Sequence, residues 1–359
     1  MVDLVKREWA LFSFILLMVL LSVLYPWKMK EFPHYIHWET IATLCGLLMV
    51  VTGIKESGYL EEAGCRLLEK SPTLRSLAVA LCVASALAST VLTNDITLFI
   101  AIPLTLSLRG VDGRDLEKLI VFEAIAVNSG SALTPIGNPQ NMYLWHVWDV
   151  SFLKFCGQMA PVVAIMLASL TLFIWVSFPE KEVHPKPRAV DKDRALFILS
   201  AITGIFYIAA VELDLTYPAT AALFILFLLF RRRILAKVDW LLLALFGVIF
   251  IDFTLMADIP MIRSILARST GSPEGTYIAS IAASQLVSNV PAAVLMSKLS
   301  NHIKAIAYGV NIGGNGTVLG SLANVIALRM LNRKNSFLRF HLYSIPFLIC
   351  TGLMTLLLF

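Results

Sequence analysis

Asn128 to Asn141 reads Asn-Ser-Gly-Ser-Ala-Leu-Thr-Pro-Ile-Gly-Asn-Pro-Gln-Asn, a polar stretch between segments apolar enough to lie inside a membrane. Moved along the chain by 183 residues it meets Asn311 to Asn324, with five identities: Asn128/Asn311, Gly130/Gly313, Thr134/Thr317, Gly137/Gly320 and Asn141/Asn324. A second match precedes each loop at an offset of 195, where Ser89-Thr-Val-Leu-Thr-Asn94 answers Ser284-Gln-Leu-Val-Ser-Asn289. Two blocks in one order in both halves mark an internal duplication. Such a chain must fold twice into one kind of unit and house two polar interruptions among apolar helices.

Composition says what surrounds them. Apolar residues make up 58% of the 359 and charged residues 15%, with a mean hydropathy of +0.79. A soluble chain carries roughly 25% charged residues. Several runs reach the ~20 apolar residues that cross a bilayer. An all-α polytopic membrane protein is expected, multi-pass in the cell membrane. Trp9 to Trp27 is too long for a signal peptide and lacks a small-residue cleavage site, so a retained helix is expected. The net charge of +5 belongs to cytoplasmic loops and calls for no nucleic-acid partner. The cysteines at 45, 65, 82, 156 and 350 have no metal-ligand spacing and read as apolar fillers.

The expected N-terminal repeat, residues 1–178, has spans Trp9–Trp27 and Tyr35–Thr52, then a surface amphipathic helix within Glu56–Lys70. A re-entrant hairpin over 74–108, broken at Thr93-Asn94-Asp95, follows, since ~35 residues overshoot the hydrocarbon even when tilted. An interrupted helix over 116–148 and a span over 159–178 complete it. Residues 179–194 form a polar cytoplasmic linker. The C-terminal repeat, 195–359, has spans 195–211, 218–230 and 240–256, a hairpin over 277–299 broken at Ser288-Asn289-Val290-Pro291, an interrupted helix over 304–331 and a last span over 340–359.

Orientation follows the basic residues. Lys6 and Arg7, the hairpin ends Arg75, Arg109 and Arg114, and three clusters (Lys181/Lys186/Arg188/Lys192/Arg194, Arg231/Arg232/Arg233/Lys237, Arg329/Arg333/Lys334/Arg339) should all be cytoplasmic, with the N-terminus. Five crossings separate the hairpins, an odd number, so the second enters from the opposite face. The repeat is therefore expected to be inverted.

Broken helices persist in hydrocarbon only where protein or a water-filled cavity satisfies their backbone. Paired breaks in inverted halves point to a midplane substrate site. Substrate contacts are expected from Asn94, Asp95, Asn128, Ser129, Gly130, Ser131, Thr134 and Asn138 in the first half, and from Asn289, Asn311, Gly313, Gly314, Asn315 and Thr317 in the second. Half-helix N-termini suit an anion. Hydroxyl, carbonyl and amide oxygens suit a hard cation such as Na⁺, supplied by Ser89, Thr93, Asn94, Asp95, Gly130, Ser284, Ser288, Asn289 and Asn315. The loop glycines would let backbone approach the ligand and adopt positive φ. Asp95 either binds Na⁺, carries a proton, or caps residues 96–98. Asp252 lies inside the span 240–256, where it either pairs within the scaffold or carries protons, Glu123 lies in a half-helix, and His146 lies near the first loop.

These residues also have blander uses, since Asn, Ser and Gly join membrane helices to one another. Two matched loops behind two matched tips favour a transport site instead. A carrier of a small anion or oxyanion coupled to Na⁺ or H⁺ is the leading expectation, beside sodium/proton antiport and arsenite efflux. No cofactor is expected, and no Gly-x-x-x-x-Gly-Lys-Ser/Thr run is present. Ser129-Gly130-Ser131 superficially suggests an intramembrane protease, but that chemistry needs a His or Lys base within hydrogen-bond reach, and neither His-Glu-x-x-His nor Gly-x-Gly-Asp is present.

At these motifs the chain resembles the ion transporter superfamily: arsenite permeases, sodium/proton antiporters and divalent-anion:sodium symporters. Thr93-Asn94-Asp95 with Pro103, and Gly137-Asn138-Pro139-Gln140-Asn141, are similar to arsenite-permease motifs. Ser89 and Ser284 stand where the symporters supply sodium-binding hydroxyls. The symporter tips read Ser-Asn-Thr, whereas these read Thr-Asn-Asp and Ser-Asn-Val. The resemblance implies a scaffold domain, a moving transport domain and a homodimer in the bilayer.

Overall fold

The computed structural model describes residues 9–69, 71–106, 108, 111–183, 191–267, 269–331, 333 and 336–359. Lys6, Arg7, Lys70, Arg109, Lys186, Arg188 and Lys334, invoked above, lie outside the described residues. Among the described residues the secondary structure is helical, with a lone bridge between Thr73 and Glu182.

In chain order the helices are α1 (Trp9–Leu24), α2 (Trp38–Glu56), α3 (Tyr59–Glu69), α4 (Leu74–Ser89), α5 (Asn94–Leu106), α6 (Gly113–Ser131), α7 (Pro139–Trp148) and α8 (Phe152–Ser177). After the linker come α9 (Arg194–Glu212), α10 (Thr216–Leu235), α11 (Trp240–Ala257), α12 (Pro260–Ala267), α13 (Pro273–Val287), α14 (Asn289–Ser297), α15 (Ile303–Gly313), α16 (Leu322–Leu331) and α17 (Ser336–Leu356). Five of them, α2, α8, α9, α11 and α17, are individually long and apolar enough to cross a membrane.

Local chemistry fixes many of the starts. The side chains of Thr73, Asp112, Asn138, Ser151, Asp193, Asp239 and Ser272 each accept from a backbone N–H of the following turn, the job of an N-cap. Asn138 caps α7 with Pro139 in its first position, where the missing proline N–H costs nothing.

Several sequence boundaries need correction. The first span stops at Leu24 rather than Trp27, and the chain bends by 120° into Pro26–Tyr35. The first loop is shorter than its polar composition suggested: Asn128 to Ser131 finish α6, and the break covers only residues 132–138. Likewise Asn311 to Gly313 finish α15. The span placed over 218–230 extends over Thr216–Leu235, with non-helical backbone at Arg231. Helix α12 was not anticipated.

Packing distributes the elements around α2. Its Gly46 lies against Tyr207 of α9, and Gly53 against Ser200. Tyr207 donates to the Ala42 carbonyl at 3.0 Å, which Thr220 of α10 also meets at 3.2 Å. Small residues permit such close crossings. Helix α4 packs on α6 and α13 on α15, while α11 lies between α1 and α14. The broad apolar surfaces include Val176, Phe206, Leu229 and Leu342, suited to hydrocarbon.

Candidate functional site

The two loops meet in the interior and exchange hydrogen bonds. Asn128 donates to the Asn324 Oδ1 at 2.8 Å, and Asn311 donates to the Asn141 Oδ1 at 2.6 Å. Asn138 donates to the Asn311 Oδ1 at 3.1 Å, while Ser321 donates to the Asn128 Oδ1 at 3.3 Å. Each contact has its counterpart 183 residues away, with donor and acceptor halves exchanged. Within the loops, Asn141 donates to the carbonyls of Ala132 (3.0 Å) and Thr134 (3.2 Å). Asn324 does the same to Gly314 (2.8 Å) and Thr317 (3.1 Å). These asparagines are buried, so their mutual bonds satisfy groups that hydrocarbon would leave bare.

Each loop is also fastened to the broken helix pair that precedes it. Thr134 donates to the Thr90 carbonyl at 2.5 Å, and Thr317 to the matched Gln285 carbonyl at 3.5 Å. Gln285 adds two bonds with its side chain, to the Gly313 carbonyl (2.8 Å) and from the Thr317 N–H (2.7 Å). At the first tip the Asn94 N–H donates to the Gly137 carbonyl at 3.0 Å, and the Asp95 N–H to the Asn94 Oδ1 at 3.0 Å. At the second, Asn289 Nδ2 lies 3.0 Å from where a side chain on Gly314 would begin. Ser288 between α13 and α14 has φ 76° and ψ 157°, a backbone region that strains any residue but glycine.

The glycines act differently from expectation. Gly58 is the one positive-φ glycine among the described residues, so the loop glycines are not there for φ. A Cβ on Gly130 would sit 2.1 Å from the Ala86 carbonyl oxygen of α4, and one on Gly313 would sit 2.6 Å from Ser284 Cβ of α13. Both let a helix press against a hairpin. The expected hydroxyl ligands also bond locally: Ser89 to the Ala86 carbonyl (2.8 Å), Ser284 to the Ser280 carbonyl (2.9 Å) and Ser131 to the Asn128 carbonyl (3.2 Å). Ser129 receives a 3.4 Å contact from Asn315 Nδ2.

Four unused acceptors lie on the loops and at the first break. Thr93 Oγ1, Asp95 Oδ1, Gln140 Oε1 and Asn315 Oδ1 are buried without a partner among the described residues. Thr93 and Asp95 line a cavity of about 540 Å³ between α2, α5, α11 and α16. Three cations (Lys55, Lys237, Arg329) and two further carboxylates (Glu56, Asp239) also line it. Glu123 and Asp252 lie elsewhere: Glu123 accepts from Thr105 at 2.7 Å, and Asp252 is fully buried with neither oxygen partnered among the described residues. His146 belongs to a separate cluster, where its Nδ1 donates to the Met142 carbonyl (2.8 Å) and its Nε2 meets Thr43 Oγ1 (3.2 Å). The His37 ring lies 5.8 Å from it.

Sequence matching missed Gln140, Gln285 and Ser321. Ser321 stands opposite Asn138, both donating across the halves, and Gln285 opposite Thr90, each accepting a loop threonine on its backbone carbonyl, so a search for identities passed over them.

Comparison with known proteins shows this helical, multi-pass protein to be a membrane transporter rather than an enzyme. The profile of the CitMHS family, described as citrate transporter, matches residues 1–305, and the chain belongs to that family, within the ion transporter superfamily. It is similar to inner membrane protein YbiR of Escherichia coli, 39% identical over 343 residues, covering 93% of this chain and 90% of that protein. Uncharacterized transporter MJ0456 of Methanocaldococcus jannaschii is 34% identical over 320 residues, covering 88% and 87%. A 46 kDa membrane protein of Mycobacterium leprae is 24% identical over 339 residues, covering 82% and 79%.

Proposed function

We propose that this protein is a secondary carrier of a small anion or oxyanion, coupled to Na⁺ or H⁺, working by alternating access between two inverted halves. The reciprocal exchange of hydrogen bonds between the loops carries the proposal. Contacts in which i meets j′ while i′ meets j are what a two-fold relation produces, and carriers with two-fold related halves place their substrate where broken helices meet.

The helix ends support inversion. Arg75, at the open end of the first hairpin, donates to the Phe178 carbonyl (2.9 Å) just past the end of α8. Tyr308, in the helix after the second hairpin, reaches the Gln158 carbonyl near the start of α8 (2.6 Å). That helix has 26 residues, about 39 Å at 1.5 Å per residue. Ion pairs Lys237–Glu56, Lys192–Glu62, Arg231–Asp193, Arg75–Glu180 and Arg339–Glu117 involve residues of the basic clusters assigned to the cytoplasm. The cavity, which includes Lys55, Lys237 and Arg329, then opens inward with Asp95 inside it.

Asp95 is the coupling residue of this reading. A buried carboxylate oxygen without a partner is costly as an anion, and a proton or Na⁺ relieves that cost. Transport by purified protein in proteoliposomes tests it, with citrate, other anions and arsenite as substrates and Na⁺ or pH gradients imposed. Asp95→Asn should remove dependence on the coupling cation, and Asn94→Ala or Asn289→Ala should weaken coupled flux. Wild-type cation dependence in all three variants would dismiss the assignment. Sodium/proton antiport is the second reading, favoured by the same unpartnered oxygen, and would show as proton flux with no anion present.

A further inference from the structure

The cavity beside the first hairpin tip also says what kind of substrate it suits, an inference that rests on the carrier reading above. Eleven of its nineteen lining residues are apolar, among them Leu48, Ile96, Phe99, Leu245 and Ile326. The charged residues balance, three cations (Lys55, Lys237, Arg329) against three acids (Glu56, Asp95, Asp239). They are not equally engaged. Lys237 pairs with Glu56 at close range, and Arg329 is already engaged. Lys55 instead rests over the Phe99 ring, 5.3 Å from its centroid, and among the described residues no carboxylate pairs with it. Its ammonium is therefore the cation still able to take a ligand, and it stands in the same cavity as Asp95 and Thr93.

We propose that this cavity selects a small organic monocarboxylate, whose carboxylate is read by Lys55 and whose carbon chain lies against the apolar wall. The charge count gives the reason. With the coupling cation on Asp95, the lining carries one net positive charge, which one carboxylate neutralises. A tricarboxylate such as citrate, or a divalent oxyanion, leaves negative charge in excess against a mostly apolar wall, and buried charge without a partner is strongly disfavoured. Neutral arsenite would leave the positive charge of that lining unanswered. A cavity of about 540 Å³ falls within the range that encloses small organic ligands.

The test is uptake into proteoliposomes by the full-length protein, driven by a gradient of the coupling cation. Saturated monocarboxylates of about three to five carbons, a size set by the cavity, are compared with citrate, sulfate and arsenite at equal concentration. Monocarboxylates should be taken up and the other three should not. Lys55→Gln should raise the half-saturating concentration roughly tenfold or more, the effect of losing one charge-assisted hydrogen bond. Lys55→Arg should recover most of it, and gel filtration of each variant shows that it remains folded. Preference for citrate, sulfate or arsenite would overturn the substrate class while leaving the carrier reading intact. So would an unchanged half-saturation in Lys55→Gln. Proton or sodium flux with no anion taken up would instead remove the carrier reading, and this inference with it.

Discussion

Asn128 and Asn311 each place a side-chain amide deep inside a protein made for hydrocarbon, and each is answered by an asparagine of the other half. Removing one side chain strands its partner, which typically costs about 1–3 kcal/mol. Asn128→Ala should therefore lower the melting temperature of the purified protein. Adding Asn324→Ala should cost less than the two single changes summed, because the partners share one bond; strict additivity would count against the contact. His37 gives a second prediction. Burial, then the neighbouring His146 and Lys298, lowers its pKa from 6.5 to about 4. The folded protein thus disfavours the protonated ring, so stability is full above pH 6.5 and declines as pH falls from there toward 4. Melting curves across that interval should show the decline in the wild type and a flatter profile in His37→Phe. At this scale the five identities fall on residues that include the four asparagines bonded across the two halves. Their roles were less legible, because the sequence does not say whether a polar side chain meets a ligand or another asparagine.

Helices and their breaks were easier to read than helix ends. Helices break where expected and restart at Asn94 and Asn289, since a polar cluster inside an apolar run is tolerated only where the helix breaks against protein or a cavity. The loop boundaries were missed because Asn, Ser and Gly weaken a helix without ending it when a neighbour packs closely. Gly130 is an instance: α6 continues through it while α4 comes within 2.1 Å of where its Cβ would lie. Gly130→Ala should cost about 1–3 kcal/mol, the usual penalty for overpacking, and should reduce transport by separating loop from hairpin. Gly157→Ala, with open space around it, is the matched control, and equal losses in both would refute the packing role. The bend after Leu24 was illegible for a different cause. Tyr25 and Trp27 resemble an interfacial span end, while Pro26 starts a new turn of helix.

For the whole molecule, the duplication was plain from sequence, whereas the hydrogen-bonded pairing of its halves needed coordinates. The proposed inward-opening cavity gives a test of orientation. A cysteine at Thr52, which lines the cavity, should react with a membrane-impermeant thiol reagent from the cytoplasmic side only. One at Ser297, which bonds Tyr143 at 2.8 Å by the His37 cluster, should not react from that side. Reversed labelling would invert the assignment. The crossed asparagines carry a further implication for how the protein is made. Asn128 awaits a partner 196 residues further on, which at ordinary synthesis rates means about 10–40 s. During that interval the first half must hold an unanswered amide among lipid or at the insertion machinery. Biogenesis of this protein therefore depends on shelter for the early half until the late half arrives.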